Sequence, residues 1–235
     1  MRAWDDPRVR SGMQTQLAKR RARIAAGEAP LGWKVGFGAP AAMQKLQISA
    51  PLIAFLMRKA LLASGATVSL SGWSKPAAEP EIAVYVGTDL RAGGDREDAR
   101  KAIAALGPAI ELADVDGPVD DVESILSGGI FQRHVALGPR DVTRAGVRLD
   151  GLRGRLARSG RDLDVPADLE SNVGDIVGIV SHVADVLGAF DETLRAGDVV
   201  ITGSVTPPLT LQPEDSEIAF NLHPIGGVSV RFASA

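Results

Sequence analysis

Pro76-Ala-Ala-Glu-Pro-Glu-Ile-Ala-Val-Tyr-Val-Gly87 is the stretch on which the reading of this chain turns. The run Ile82–Val86 reads as a β-strand, and side chains on a strand alternate faces with period two. Glu79 and Glu81 therefore leave the backbone on the same side, a few ångströms apart. Ala83 and Tyr85 continue that face, while Ile82, Val84 and Val86 form the other. Two like charges held so close need a positive charge between them, or one must take up a proton. A hard divalent cation bound by carboxylate oxygens meets that need. The competing reading is a solvated edge strand that carries charge to discourage aggregation. A third glutamate, Glu111, interrupts another apolar, strand-like segment, Pro108-Ala-Ile-Glu-Leu-Ala113. That segment weakens the edge-strand reading.

On either side of this stretch the chain alternates short elements. Gln14–Ala26 reads as a helix closed by Gly27 and Pro30, and Gly32–Phe37 as a short, glycine-punctuated strand. A helical turn is expected over Ala41–Gln47, and Pro51–Leu62 is apolar but ambiguous in type. Thr67–Leu70 is a strand candidate, and Asp95–Leu106 reads as a helix with Ala99, Ile103 and Leu106 on one face. Ile130–Leu137 is a further strand. The polar stretch from Arg140 to Pro166, period two in Val147–Gly151 and Arg155–Arg161, reads as a hairpin with a Ser-Gly turn projecting from the body. Val173–Phe190 has the best helical spacing, with Ile176, Val180, Val183 and Leu187, and Asp198–Thr202, Ile218–Leu222 and Val228–Phe232 are short strands. Strands outnumber helices without regular βαβ alternation, so the fold class is α+β.

With 235 residues, 45% of them hydrophobic, the chain suits one large domain, residues 1–235, with a helical N-terminal extension over 1–30. A net charge of −3 without a basic stripe argues against a nucleic-acid partner. No apolar run is long enough for a membrane span, the first residues lack a signal-peptide core, and cysteine is absent. The expected location is the cytoplasm. No Ser/His/Asp arrangement appears, and Gly36-Phe-Gly38 lacks the rest of a dinucleotide fingerprint. Of the histidines, His182 and His134 read as structural, His134 with an alternative place beside Arg133 as a carboxylate clamp, and His223 as exposed.

Five segments in this order resemble the fumarylacetoacetate hydrolase superfamily. They are Gly32-Trp-Lys-Val-Gly36, Glu79-Pro-Glu-Ile-Ala83, Pro108-Ala-Ile-Glu111, Leu194–Ser204 and Gly226-Gly-Val-Ser-Val-Arg-Phe232. Within it the chain looks most like the 2-keto-4-pentenoate hydratase and 4-oxalocrotonate decarboxylase branch. The resemblance, which runs from about Gly32 to the C-terminus, implies a mixed β-sheet roll with a few flanking helices, the catalytic roll spanning 31–235. It implies Mg2+ or Mn2+ held by Glu79, Glu81 and Glu111, a small 2-oxo acid substrate and a homo-oligomer. A metal-bound 2-oxo group is an electron sink, so the implied chemistry passes through a stabilised enolate, as in hydration or decarboxylation. Lys34 matches a family lysine that can hold developing negative charge or relay a proton. Thr202, Gly203 and Ser204 match a turn near the substrate carboxylate, and Ser127 a pocket-lining serine.

Alternatives on the same metal platform are C–C bond hydrolysis and keto–enol tautomerisation, and outside catalysis a silent binding or scaffold protein. The chain also departs from the family pattern. Ile48-Ser-Ala-Pro51 lacks an aspartate, Glu123–Ser127 replaces an Ala-Asp-Asn-Ala-Ser string, and Ala77 stands where an arginine is usual, with Lys75 nearby. Ala39-Pro40 replaces a Ser-Lys pair, and Gly174-Asp-Ile176 replaces Gly-His-Pro. The groups that position water and recognise a dienoate have thus changed, so a different substrate or a different fate for the enolate is expected.

Overall fold

The computed structural model describes residues 2–233. In chain order its elements are α1 (Pro7–Ala25), β1 (Pro30–Gly36), α2 (Pro40–Leu46), β2 (Leu52–Met57), β3 (Leu61–Leu62), β4 (Ala66–Val68) and β5 (Pro76–Val86). There follow α3 (Arg96–Ala102), β6 (Ile103–Asp114), α4 (Val122–Ser127), β7 (Gln132–Leu137), β8 (Arg153–Arg158) and β9 (Arg161–Leu163). The chain closes with α5 (Ile176–Gly188), β10 (Val199–Ser204), β11 (Leu209–Thr210), β12 (Glu217–His223) and β13 (Gly226–Phe232). No described helix is long and apolar enough to cross a membrane.

Eight strands form the large sheet, in the order β2-β1-β10-β5-β6-β7-β3 with β11 paired to β5, and five form a smaller one, β4-β13-β12-β8-β9. The architecture is α+β with mixed sheets. One face of the large sheet meets the main core, to which α1 contributes Met13 and Leu17 and α5 contributes Ile176, Val180, Val183 and Leu187. Each such fully buried side chain stabilises the fold by about 1.5–3 kcal/mol relative to exposure. On the other face Leu31, Leu56, Ala83, Ala109, Val135 and Ile201 touch one another although they come from six strands. Only a sheet curled into a half-barrel brings six strands to one cluster, and alanines at two of the central positions leave room for the curvature. Glu79 and Glu81 share the parity of Ala83, and Glu111 that of Ala109, so all three acids belong to this inner face.

Several sequence expectations are corrected. The helix over Asp95–Leu106 stops at Ala102, where a twelve-residue strand, Ile103–Asp114, begins. Asp95 and Asp98 form a capping box that starts the helix. From Ile103 the backbone pairs with β5, because an apolar run covered on both faces suits a central strand as well as a helix. The strand expected from Ile130 starts at Gln132, since Ile130 and Phe131 are left-handed, with φ of 54° and 61°. The N-terminal helix starts earlier, at Pro7, behind the Asp6 cap. The polar hairpin exists as β8–β9 around Ser159-Gly160, but Val147–Gly151 is not a strand. Nor does the hairpin project: β8 pairs along its length with β12.

Candidate metal centre

Register, more than sequence proximity, assembles the site. In the antiparallel β5–β6 pair Glu79 stands opposite Glu111, and Glu81 opposite Ala109. Across the other edge of β5, Ser204 stands opposite Glu81. Lys34 pairs with Ile201 on the parallel neighbour β10, which sets it on the same inner face. Glu81 and Glu111 are buried, Glu79 is half-buried, and one oxygen from each lies within 4.8 Å of the others. Two oxygens on opposite sides of a single ion at about 2.0–2.6 Å are at most about 5 Å apart. The spacing therefore fits one common ligand.

The hydrogen bonds around the acids leave the cluster incomplete. Lys34 Nζ donates to Glu111 Oε1 and, at 3.0 Å, to the carbonyl of Ile130. The Gly203 N–H donates to Glu81 Oε2 at 2.6 Å. Glu81 Oε1 and Glu111 Oε2 are buried without a hydrogen-bond partner. Buried acceptors are rarely left so. Ionised, three carboxylates against one ammonium leave two negative charges uncompensated, the charge of one divalent cation.

Protonation states show the same deficit. Burial, then the Glu111 charge, push the Glu79 carboxyl up to about 7, with Lys34 acting in the opposite direction. Burial, Glu111 and Glu79 push Glu81 well above the usual range against Lys34 and the Gly203 N–H. Burial raises Glu111 although the Lys34 charge and hydrogen bond oppose it. The chemistry and spacing of Glu79, Glu81 and Glu111 thus fit an oxygen-liganded divalent cation.

Backbone geometry sets this arrangement. β10 breaks register between Ile201 and Ser204, and Gly203 within that irregularity has φ 98°, a conformation glycine adopts without penalty. The irregularity frees the Gly203 N–H for Glu81. Gly36 has a different reason: a Cβ there would meet Ile130 Cγ2 at 2.9 Å, so only glycine lets the Ile130 segment approach Lys34.

A cavity of about 300 Å3 opens from Glu79 and Lys34. Thr202, Gly203 and Ser204 line it. The Thr202 hydroxyl, however, donates to the Ile82 carbonyl at 3.1 Å and that of Ser204 to Pro80 at 3.4 Å. Ser127 is not among the lining residues; it ends α4, and its carbonyl accepts from Lys19. Sequence reasoning missed Phe37, Ile130, Phe131 and Asn172, all of which line the cavity. The available signal was glycine: Gly36-Phe-Gly38 and Gly128-Gly-Ile-Phe131 mark backbone that leaves the strand geometry. His134 stacks on Trp73 with ring centroids 6.0 Å apart, and Arg133 pairs with Asp116 and Asp114, so no clamp forms at the cavity. His182 bonds the Pro51 carbonyl at 2.9 Å, and His223 is exposed.

Residues 33–232 match the family model described as fumarylacetoacetate (FAA) hydrolase C-terminal. A 2-hydroxyhexa-2,4-dienoate hydratase of Comamonas testosteroni is 30% identical over 211 residues, covering 85% of this chain and 77% of that protein. 2-Keto-4-pentenoate hydratase 1 of Dechloromonas aromatica (strain RCB) is 25% identical over 230 residues, covering 95% of this chain and 85% of the relative. Among solved structures, 4-oxalocrotonate decarboxylase from Pseudomonas putida G7, complexed with magnesium and adipate, superposes with a TM-score of 0.85 at 24% identity. That match covers 94% of this chain and 85% of the other.

Proposed function

The chain belongs to the fumarylacetoacetate hydrolase family, and from that premise we propose that it is a divalent-metal-dependent lyase of a small 2-oxo acid, a hydratase or decarboxylase. One observation carries the reading: three converging carboxylates with orphaned buried oxygens adjoin a lysine at the base of a cavity. Glu79, Glu81 and Glu111 would hold the ion, Mg2+ or Mn2+ in this reading. When bound, such an ion supplies Lewis acidity to a 2-oxo group beside it.

The remaining work falls to the chain's own groups. Lys34 Nζ carries three N–H bonds; Glu111 and the Ile130 carbonyl take two, and the third is available to the cavity that Lys34 lines. From there the ammonium offsets negative charge developing on the substrate or delivers a proton to it. Glu111 holds that ammonium in place, and the Gly203 N–H fixes the orientation of Glu81. Buried apolar residues at the base, Val35, Ala77, Ala113 and Ile130, lower the local polarity and strengthen these interactions. Relatives named as hydratases and a structural neighbour named as a decarboxylase support the reaction class.

The test is turnover by purified protein, stripped with EDTA and reloaded with Mg2+ or Mn2+, on 2-keto-4-pentenoate (as its dienol) and 4-oxalocrotonate. Metal-dependent turnover of either, lost in Glu81→Ala, is the expected result. Binding of the ion without turnover of any 2-oxo acid would defeat the proposal.

A further inference from the structure

We propose that the cavity above the carboxylates selects 2-oxo acids whose tail is uncharged and apolar, held against the paired rings of Phe37 and Phe131; the inference rests on the 2-oxo acid reading above. The walls around those rings are Ala39, Ala42, Val115, Val119, Val173 and Pro208. A cavity of about 150 Å3 already admits benzene, so about 300 Å3 accommodates an alkyl, alkenyl or aryl tail beyond the reacting head.

Apart from Lys34, the polar side chains on the lining have their donors committed within the protein. Thr202 donates to Ile82, Ser204 to Pro80, and the Asn172 amide to the Ser204 carbonyl at 2.7 Å. Among the described residues Lys34 is the single cation of the lining, which holds neither arginine nor histidine; Glu111 and the Ile130 carbonyl take two of its N–H bonds, and the third serves the reacting head. A second carboxylate at the tail, among the apolar walls, would lose its water without gaining a side-chain donor. An apolar tail does not meet that penalty.

The two phenylalanines are placed at a conformational cost. Phe37 and Phe131 sit at φ of 56° and 61°, and for bulky residues such values are true outliers. Strained backbone of this kind concentrates at ligand sites. Here it turns both rings to the cavity, with centroids 6.4 Å apart and planes tilted by 55°. Of the two lyase reactions, loss of CO2 from the distal end requires a substrate with a second carboxylate. Addition of water across a C=C bond, oxygen to one carbon and hydrogen to the other, does not. The cavity therefore favours hydration.

Calorimetric titration of the Mg2+-loaded full chain with oxalate, 2-oxohexanoate and 2-oxoglutarate tests this without relying on turnover. Expected is 2-oxohexanoate binding about 100-fold tighter than 2-oxoglutarate, as an unpaired buried carboxylate implies. Phe37→Leu and Phe131→Leu should each weaken 2-oxohexanoate about tenfold, the scale of lost apolar contact, while oxalate affinity stays unchanged and certifies the fold. Val119→Arg, at the exposed rim, should improve 2-oxoglutarate binding about tenfold by supplying the missing donor. Equal affinity for the two long acids, or a preference for 2-oxoglutarate, overturns the proposal. Failure of oxalate and both 2-oxo acids alike to bind the metal-loaded protein instead defeats the underlying 2-oxo acid reading, and this inference with it.

Discussion

Glu81 on the large sheet and Asp215 beside the small one are both buried carboxylates, and their surroundings differ sharply. Asp215 accepts two bonds from the Arg158 guanidinium, each at 2.6 Å, and one from the Gln212 N–H at 2.7 Å. Burial tends to raise its carboxyl, but Arg158 and Gln212 more than offset this and hold it below the usual range. Glu81 has one N–H donor, from Gly203, an orphaned oxygen and two acidic neighbours, and its carboxyl is pushed far upward. The protein completes the first acid by itself. It leaves the second short of positive charge, which marks it as a group that a ligand completes.

The largest break in this contrast is Glu81→Ala or Glu111→Ala. Either should abolish metal binding by calorimetry and reduce turnover to background, without lowering the Tm of the metal-free protein beyond the effect of a cavity. Lys34→Met should come next, lowering kcat by about 10²–10⁴-fold, the usual worth of a positioned proton donor, with metal still bound. Asp215→Ala should do the reverse. Breaking this part-buried pair costs about 1–3 kcal/mol, or roughly 2–12 °C in Tm for a chain of this size, while metal affinity is unchanged.

A smaller effect tests the sign of the raised carboxyls. Glu79 titrates near 7 in the fold against an ordinary value of 4.5. Its contribution to metal-free stability is therefore fully present below about pH 4.5 and lost as pH rises through 7; raised Glu81 and Glu111 act in the same direction. In EDTA, the Tm of the unmodified protein should fall relative to that of Glu81→Gln between pH 5 and pH 8. Mg2+ should restore it at pH 8, where the carboxylates are ionised. The smallest effect belongs to the outer hairpin: Asp162→Asn removes an ion pair to Arg155 whose two side chains are 59% and 71% exposed, and no measurable change in Tm is expected.

Much of this contrast was legible in one dimension, and the exceptions are instructive. Period two put Glu79 and Glu81 on one face without further information. Helical spacing from Ile176 to Leu187 identified α5, because a single apolar stripe has only one way to be buried. The region after Asp95 misled, since Ala99, Ile103 and Leu106 satisfy a helix while Ile103–Asp114 lies in the middle of a sheet, apolar on both faces. Ser127 was placed in the pocket by its motif, yet Ile130 and Phe131 just beyond it line the wall. Left-handed backbone at those two residues runs against their intrinsic preference, so local pattern gives no warning of it.

By itself the sequence determined which acids share a strand face, where the best helix lies, and, through five ordered segments, the family. Tertiary structure alone decided that Glu111 faces Glu79 across β5 and β6, that Lys34 is held between Glu111 and the Ile130 carbonyl, and that two phenylalanines form the cavity wall. The reason is physical. A strand's alternation is a local property of its own covalent geometry, whereas register, sheet curvature and strained loops are fixed by contacts between residues far apart in the chain.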